Sequence, residues 1–323
     1  MSVAVIGLGS IGLRHAQNLL TLGERVIGYD PDPVRCAALD DAGGRALEHR
    51  ADALGEADAA VVASPNASHL TDLQAAIEAG CHVMIEKPLA HTTDGLSDLL
   101  DDAEAQKRIV FVAQNLRFHP AVAGARARLT DGSAGEAIWA RALAVSYLPD
   151  WRPGVDYRAN YAADPATGGA VFDFIHEFDL MAHLLGPFVP KAAVARQTGR
   201  LEIDAEDCVD ALLCHGGGVI SNLHLDFATR AAKRVTEIGT SEGVLTIDIL
   251  ARALEWRDSK GEACDRQSFG GAHTDDYRTE LKHFLACVAG AQTPLCDGRE
   301  AAAILGEVLA LRHLAGLPER GAA

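Results

Sequence analysis

Basic residues are in deficit, long apolar runs are missing and the cysteines form no motif. Each of these gaps removes a class of function. The 323-residue chain carries 29 Lys and Arg against 45 Asp and Glu, a formal net charge of −16. That balance argues against nucleic acid or an anionic membrane surface as the main partner. No apolar stretch approaches the ~20 residues that span a bilayer. The seven cysteines include no C-x-x-C pair and are odd in number, which fits reduced thiols in a cytoplasmic protein better than a disulfide framework. A signal or transit peptide is not expected, because a strand-like run begins at once. Biased and repetitive tracts are also missing. With 48% hydrophobic and 23% charged residues, the composition is that of an ordinary globular protein, and the length predicts about two domains.

What is present begins with Val3–Ile6, a β-branched run that reads as a buried parallel strand. It enters Gly7-Leu8-Gly9-Ser10-Ile11-Gly12, followed by a stretch with helical spacing. A G-x-G-x-x-G between strand and helix is the dinucleotide fingerprint: the glycines permit the tight turn and let the backbone approach a pyrophosphate at the helix N-terminus. Gly7, Gly9, Ser10, Ile11 and Gly12 are therefore candidate cofactor ligands. The next strand ends in Asp30, about 20 residues on, where an acidic side chain accepts from the adenosine ribose 2′-OH and repels a 2′-phosphate. NAD is favoured, and the nearby Arg35 keeps NADP open.

Strands at 59–64, 82–86 and 109–114 alternate with helical segments, which predicts βαβ units on a parallel sheet. Ligands of such sheets bind beyond the carboxyl ends of the strands. Ser64-Pro65-Asn66, with His69 just after, Glu86-Lys87-Pro88, and Asn115-Leu116-Arg117 fall at those ends. Ser64, Pro65, Asn66, His69, Glu86, Lys87 and Asn115 are expected at the cofactor, and Lys87 and Arg117 at the substrate. The plain alternative is three ordinary turns, since Pro and Asn are common turn residues. From about residue 137 onward, strand-like runs follow one another without intervening helices, which suggests an antiparallel sheet. Two helical segments close the chain. The expected fold class is α/β, with a Rossmann domain over 1–120 and an α+β domain over 121–323, although the closing helices suit either.

One stretch, residues 168–186, reads GGAVFDFIHEFDLMAHLLG: ionisable groups inside an apolar helix, where burial is costly unless they are paired or used. A zinc helix of the H-E-x-x-H type needs a second His four residues after His176, and Leu180 stands there. No metal is expected. Asp173, His176 and Asp179 share a helix face at i, i+3 spacing. A His beside a nicotinamide can take the hydroxyl proton as hydride leaves the carbon, and a carboxylate beside it favours the imidazolium. Lys87 can stabilise the developing alkoxide. Gly168-Gly169 are expected to let the chain approach the cofactor closely.

Taken together, GLGSIGLRH (7–15), SPNASH (64–69), EKPLA (86–90), NLRFHP (115–120) and the GG…HEFD stretch resemble the glucose–fructose oxidoreductase / inositol dehydrogenase / MocA family (Gfo/Idh/MocA). The resemblance covers nearly the whole chain, and E-K-P after a Rossmann turn is its specific mark. It implies an N-terminal Rossmann domain, a C-terminal domain on an open, mostly antiparallel sheet, a nicotinamide cofactor between the two, and homo-dimers or homo-tetramers formed through the sheet. It also implies oxidation or reduction of a hydroxyl carbon of a sugar, inositol or sugar acid, with the family's catalytic His at His176 and Lys at Lys87. Many members place an Asp four residues before the His, where this chain has Phe172. Asp173, Glu177 and Asp179 thus all remain candidates for its partner. The segment 148–169 reads as a loop, whose Trp151, Arg158 and Tyr161 are candidate substrate contacts or, alternatively, pins that hold the loop. The combination of D-Y-R-x-x-Y with H-E-x-D resembles members linked to acidic or amino sugars. Two other readings stand beside the dehydrogenase: an NAD-dependent glycoside hydrolase using transient oxidation, and a non-catalytic NAD sensor.

Overall fold

A computed structural model describes residues 1–318 apart from 153, 160, 166 and 167. The chain forms two compact units, Met1–Asn115 with His273–Leu305, and Leu116–Ala272 with the segment from Gly306 onward.

In the first unit strands and helices alternate: β1 (Ser2–Ile6), α1 (Ser10–Thr21), β2 (Arg25–Tyr29), α2 (Pro33–Asp41), β3 (Arg45–Ala46), α3 (Arg50–Gly55), β4 (Ala59–Val62), α4 (His69–Glu78), β5 (His82–Glu86), α5 (Leu96–Ala105) and β6 (Val110–Ala113). The six strands are parallel in the order β3-β2-β1-β4-β5-β6, the arrangement of the Rossmann fold. Helices cover both faces of such a sheet, so its central strands need apolar side chains on both sides. Val3–Ile6, Ala59–Val62 and Val83–Ile85 accordingly are all buried.

The second unit runs α6 (Pro120–Thr130), β7 (Ala137–Tyr147), α7 (Ala170–Asp173), α8 (Ile175–Leu185), β8 (Phe188–Arg196), β9 (Cys208–His215), β10 (Ile220–Asp226), β11 (Ala228–Thr240), β12 (Gly243–Asp248), β13 (Ala253–Asp258) and β14 (Ala263–Ser268). Its eight strands lie in the order β14-β13-β12-β11-β7-β10-β9-β8. Only the β7–β10 pair is parallel; the other neighbours are antiparallel. One face of the sheet is buried, with Ala140, Ala142 and Ala144 of β7 and, across β10, Val209, Ala211 and Leu213 of β9. The small β7 side chains leave room for α8 to pack across that strand. On the other face Trp139, Val194 and Ile220 are exposed.

The chain closes with α9 (His273–Val288) and α10 (Gly298–Leu314). A simple cut at residue 120 does not describe these two units, because residues 273–305 return to the first. Val112 donates its N–H to the Cys296 carbonyl at 3.0 Å, and Phe111 pairs with Asp297 in an antiparallel bridge. Phe284 of α9 lies against Phe111 with ring centroids 5.7 Å apart, both fully buried. An edge strand leaves backbone groups unpaired, and the returning segment satisfies some of those of β6. Among the described residues no helix is long and apolar enough to cross a membrane.

The Phe111–Phe284 contact makes the returning segment part of the first core. Phe284→Ala should cost about 3–5 kcal/mol of stability in urea unfolding. A loss below about 1 kcal/mol would mean that α9 is not integral to that core.

Candidate functional site

Each unit presents ionisable side chains at the motifs singled out above. In the first, the glycine turn is fixed by contact. Gly7 has φ +89°, and a Cβ there would lie 2.6 Å from the Ser64 backbone nitrogen; a Cβ on Gly12 would lie 1.8 Å from the Gly7 carbonyl. Gly9 is extended at the N-cap of α1, with no side chain capping the helix. A Cβ on it would meet only Arg35, at 3.9 Å. The first turn of α1 is thus left to a ligand, as anion binding at a helix N-terminus requires. Asp30 sits below the turn, its carboxylate accepting from the backbone N–H of Leu8 at 2.7 Å and of Asp32 at 2.9 Å. Arg35 is 3.4 Å away and half exposed. The Ser64 hydroxyl and the Asn115 side-chain oxygen, at the carboxyl ends of β4 and β6, are buried and find no hydrogen-bond partner among the described residues. Buried polar atoms are rarely left so, and the uncapped helix and these two atoms suit a dinucleotide.

Two of the residues expected at the cofactor also hold the loops. The ring nitrogens of His69 lie 2.7 Å from the Pro88 carbonyl and 2.9 Å from that of Ser64. Burial keeps this ring below its ordinary pKa, against the pull of both carbonyls, Glu86 and Asp72, so the neutral ring donates to one carbonyl at a time. Glu86 bonds His15 at 2.7 Å and accepts the Lys87 backbone N–H at 3.3 Å. Lys87 itself is partly exposed and joined to Pro88 by a cis peptide.

In the second unit, burial sorts the ionisable groups of residues 168–186. Asp173, Glu177, Asp179 and His183 are buried, while His176 keeps partial exposure. Asp179 accepts from Arg117 twice, at 2.9 and 2.7 Å, with both side chains 1% exposed. Glu177 accepts from Arg234 at 2.6 and 3.0 Å, and Asp173 accepts the Tyr161 hydroxyl at 2.7 Å. Arg117 is therefore an internal counter-ion, which corrects its expected role at the substrate: a guanidinium this buried and engaged twice by one carboxylate is committed to it.

The aromatics of the 148–169 loop favour the pinning alternative. Trp151 donates to the Ser146 hydroxyl at 2.9 Å and meets Phe227 and Phe174 edge-on at 5.2 and 6.3 Å. Tyr161 holds Asp173. Arg158 stays exposed, in ion pairs with Asp156 and Glu202. The two glycines ahead of α7 also serve the protein interior. A Cβ on Gly168 would lie 2.2 Å from the Tyr161 carbonyl, and one on Gly169, at φ +85°, would lie 2.2 Å from the Glu206 carboxylate. Glu206 caps this turn. Its carbonyl accepts the Ala170 N–H at 3.0 Å, its carboxylate accepts that of Val171 at 3.3 Å, and Arg312 pairs with it at 3.2 Å.

His15, Glu206, Arg234 and Arg312 escaped the sequence reading. His15 alone left a signal, an ionisable residue on the buried Gly12-Ala16-Leu19 face of α1. The others come from distant segments with no motif.

This geometry agrees with the comparison to known proteins. Residues 1–114 match the family described as "Oxidoreductase family, NAD-binding Rossmann fold", and residues 122–246 match the "GFO/IDH/MocA C-terminal domain". The chain belongs to the Gfo/Idh/MocA family. Its first unit is an NAD-binding Rossmann domain, and the protein is an oxidoreductase. As a Gfo/Idh/MocA chain it is 24% identical to the UDP-N-acetylglucosamine 3-dehydrogenase of Acidithiobacillus ferrooxidans, over 97% of this chain and 96% of that one. It is 27% identical to the 1,5-anhydro-D-fructose reductase of Ensifer adhaerens, over 76% and 73%. It shares the fold of levoglucosan dehydrogenase solved with NADH and levoglucosan, with TM-score 0.85 at 20% identity and 98% and 97% coverage.

One member of the α8 helix couples this region to pH. Burial, then the charges of Arg117 and Arg126, push the His183 imidazole down to about 3, from 6.5. Between those values the unfolded chain binds a proton that the folded chain does not, so this group makes stability rise with pH through that window and stay level above it. Acidification from pH 6 to 4.5 should therefore cost the wild type more than His183→Gln, by about 1.4 kcal/mol per pH unit at most. Equal slopes in urea unfolding would mean that His183 titrates alike in both states.

Proposed function

We propose that this oxidoreductase is an NAD-dependent dehydrogenase of a hydroxyl carbon in a sugar, inositol, sugar acid or nucleotide-linked amino sugar, with His176 as the base and Lys87 as the electrostatic partner of the reacting oxygen. The observation that carries the assignment of His176 is its partial exposure within a helix whose other ionisable groups are buried. An imidazole reached by solvent is the side chain suited to taking a hydroxyl proton. Glu177 and Asp179 each have a guanidinium partner, whereas Asp173 accepts from a neutral hydroxyl. We therefore assign Asp173 the task of orienting His176 and favouring its imidazolium form. NAD, when bound, supplies the hydride acceptor. The Lys87 ammonium stabilises negative charge on the oxygen as its proton leaves.

Supporting the substrate class, relatives of this chain carry the names UDP-N-acetylglucosamine 3-dehydrogenase, 1,5-anhydro-D-fructose reductase and inositol 2-dehydrogenase. We assign Asp30 to the adenosine ribose diol, which favours NAD over NADP by repulsion of a 2′-phosphate.

The test offers NAD with a panel of inositols, sugars, anhydrosugars, sugar acids and nucleotide sugars and follows absorbance of the reduced nicotinamide. Stoichiometric NADH with one compound is expected; cleavage of a glycoside that needs NAD but accumulates no NADH would replace the dehydrogenase reading. With that compound, His176→Ala should lower turnover by ~10²–10⁴ while NADH binding changes little. Full turnover in that variant removes His176 from the chemistry. Asp30→Ala should weaken NAD and narrow its advantage over NADP; an unchanged NAD affinity would take Asp30 off the ribose.

A further inference from the structure

We propose that His15 is a positioning residue for Lys87, acting through Glu86. The importance of this for catalysis rests on the role assigned to Lys87 above, but the geometry stands on its own. His15 lies on α1, one turn beyond Gly12, with no exposed surface. Its Nε2 is 2.7 Å from Glu86 Oε1, and its Nδ1 is buried with no hydrogen-bond partner among the described residues. An imidazole buried at that cost has, among the described residues, one hydrogen-bond contact to justify it, and that contact is Glu86. Leucine would fill the same apolar face, beside Ala16 and Leu19, without the penalty.

The direction of the bond follows from charge. Burial opposes ionisation of Glu86, but the His15 bond and the nearby His15, Lys87 and His69 outweigh it and hold the carboxyl below its ordinary range. An ionised carboxylate only accepts, so Nε2 carries the hydrogen and donates. The other carboxylate oxygen, Oε2, accepts the Lys87 backbone N–H at 3.3 Å. One carboxylate therefore ties α1 to the main chain of the lysine. On the far side the Pro88 carbonyl is held by His69. Tyr277 closes over the His15 ring, edge-on at 5.9 Å, and is itself covered by Arg14 at 5.1 Å.

This linkage has a mechanical meaning. The helix whose uncapped N-terminus is suited to a dinucleotide is the same helix that fixes the lysine backbone. Lysine has a flexible four-carbon stem, so placing its ammonium requires at least that its backbone be held. Through His15 and Glu86, the cofactor helix and Lys87 share one frame.

The test reads Lys87 directly and needs no substrate. The NADH-loaded protein is pulsed with acetic anhydride, and acetylation of Lys87 is measured by mass spectrometry against the exposed Lys191 and Lys260. His15→Leu and Glu86→Ala should each change the Lys87 rate severalfold and in the same direction, with the reference lysines unchanged. The double variant should add nothing further, as expected of two residues on one path. His15→Gln, which returns an N–H donor, should restore the wild-type rate. In turnover, His15→Leu should lower kcat by ~10-fold to 10²-fold with little change in KM for NAD, the signature of misplacement rather than lost binding. Wild-type Lys87 reactivity in His15→Leu, or no restoration in a folded His15→Gln, overturns the proposal and leaves His15 a core residue. Full turnover in Lys87→Met would instead overturn the role of the lysine, with the labelling still deciding whether His15 positions it.

Discussion

Burying charge within the helix that carries His176 is the constraint around which the second unit is built. A carboxylate withdrawn from water costs several kcal/mol unless a partner is brought with it. Asp179 and Glu177 are each met by a guanidinium in two-point contact, Arg117 from just after β6 and Arg234 from β11. These pairs fix α8 at two points by geometry that a lone charge cannot supply. Removing either partner leaves a buried charge uncompensated, so the pairs specify where α8 sits more than they add net stability. Upstream, Glu206 and Arg312 do the same for the turn ahead of α7. Burial pushes the Glu206 carboxyl up and the Arg312 guanidinium down, and each is opposed by the charge of the other. The guanidinium also lies over the Phe172 ring at 4.6 Å.

The first unit meets a different constraint, close approach of backbone to backbone. Gly12 touches the Gly7 carbonyl so nearly that no side chain fits, and this contact brings α1 over the end of β1. With α1 so placed, His15 reaches Glu86 and the E-K-P loop is held from the helix. His69 then joins that loop to Ser64. Neither histidine needs to touch substrate or cofactor to matter, because a displacement of about 1 Å at a reacting group is enough to lose much of its effect.

Much of this was legible in the residues. Alternating apolar strands and helices, the G-x-G-x-x-G turn and Asp30 specify a Rossmann domain, and the succession of strands from β8 to β14 specifies the second sheet. Those signals are local, set by periodicity and turn chemistry within one segment. The internal partners of Arg117 and of the Gly168-Gly169 pair, and the choice between the two roles left open for Trp151 and Tyr161, were not legible because type and spacing cannot tell a ligand contact from an internal one. An arginine beside a strand end has the same sequence appearance whether it faces a sugar or a buried aspartate. The return of residues 273–305 to the first sheet was equally invisible, since an amphipathic helix declares that it has an apolar face and not which core receives it.

The sequence by itself determined the fold class, the cofactor turn and the identity of the residues able to do acid–base work, because propensity, glycine freedom and side-chain chemistry belong to the residues. Only the tertiary structure decided which ionisable groups are neutralised internally and which stay available. His15 finds Glu86 71 positions away, Arg117 finds Asp179 62 away and Arg312 finds Glu206 106 away. Partners at such separations are chosen by packing, and it is the partner that sets a buried group's charge and position.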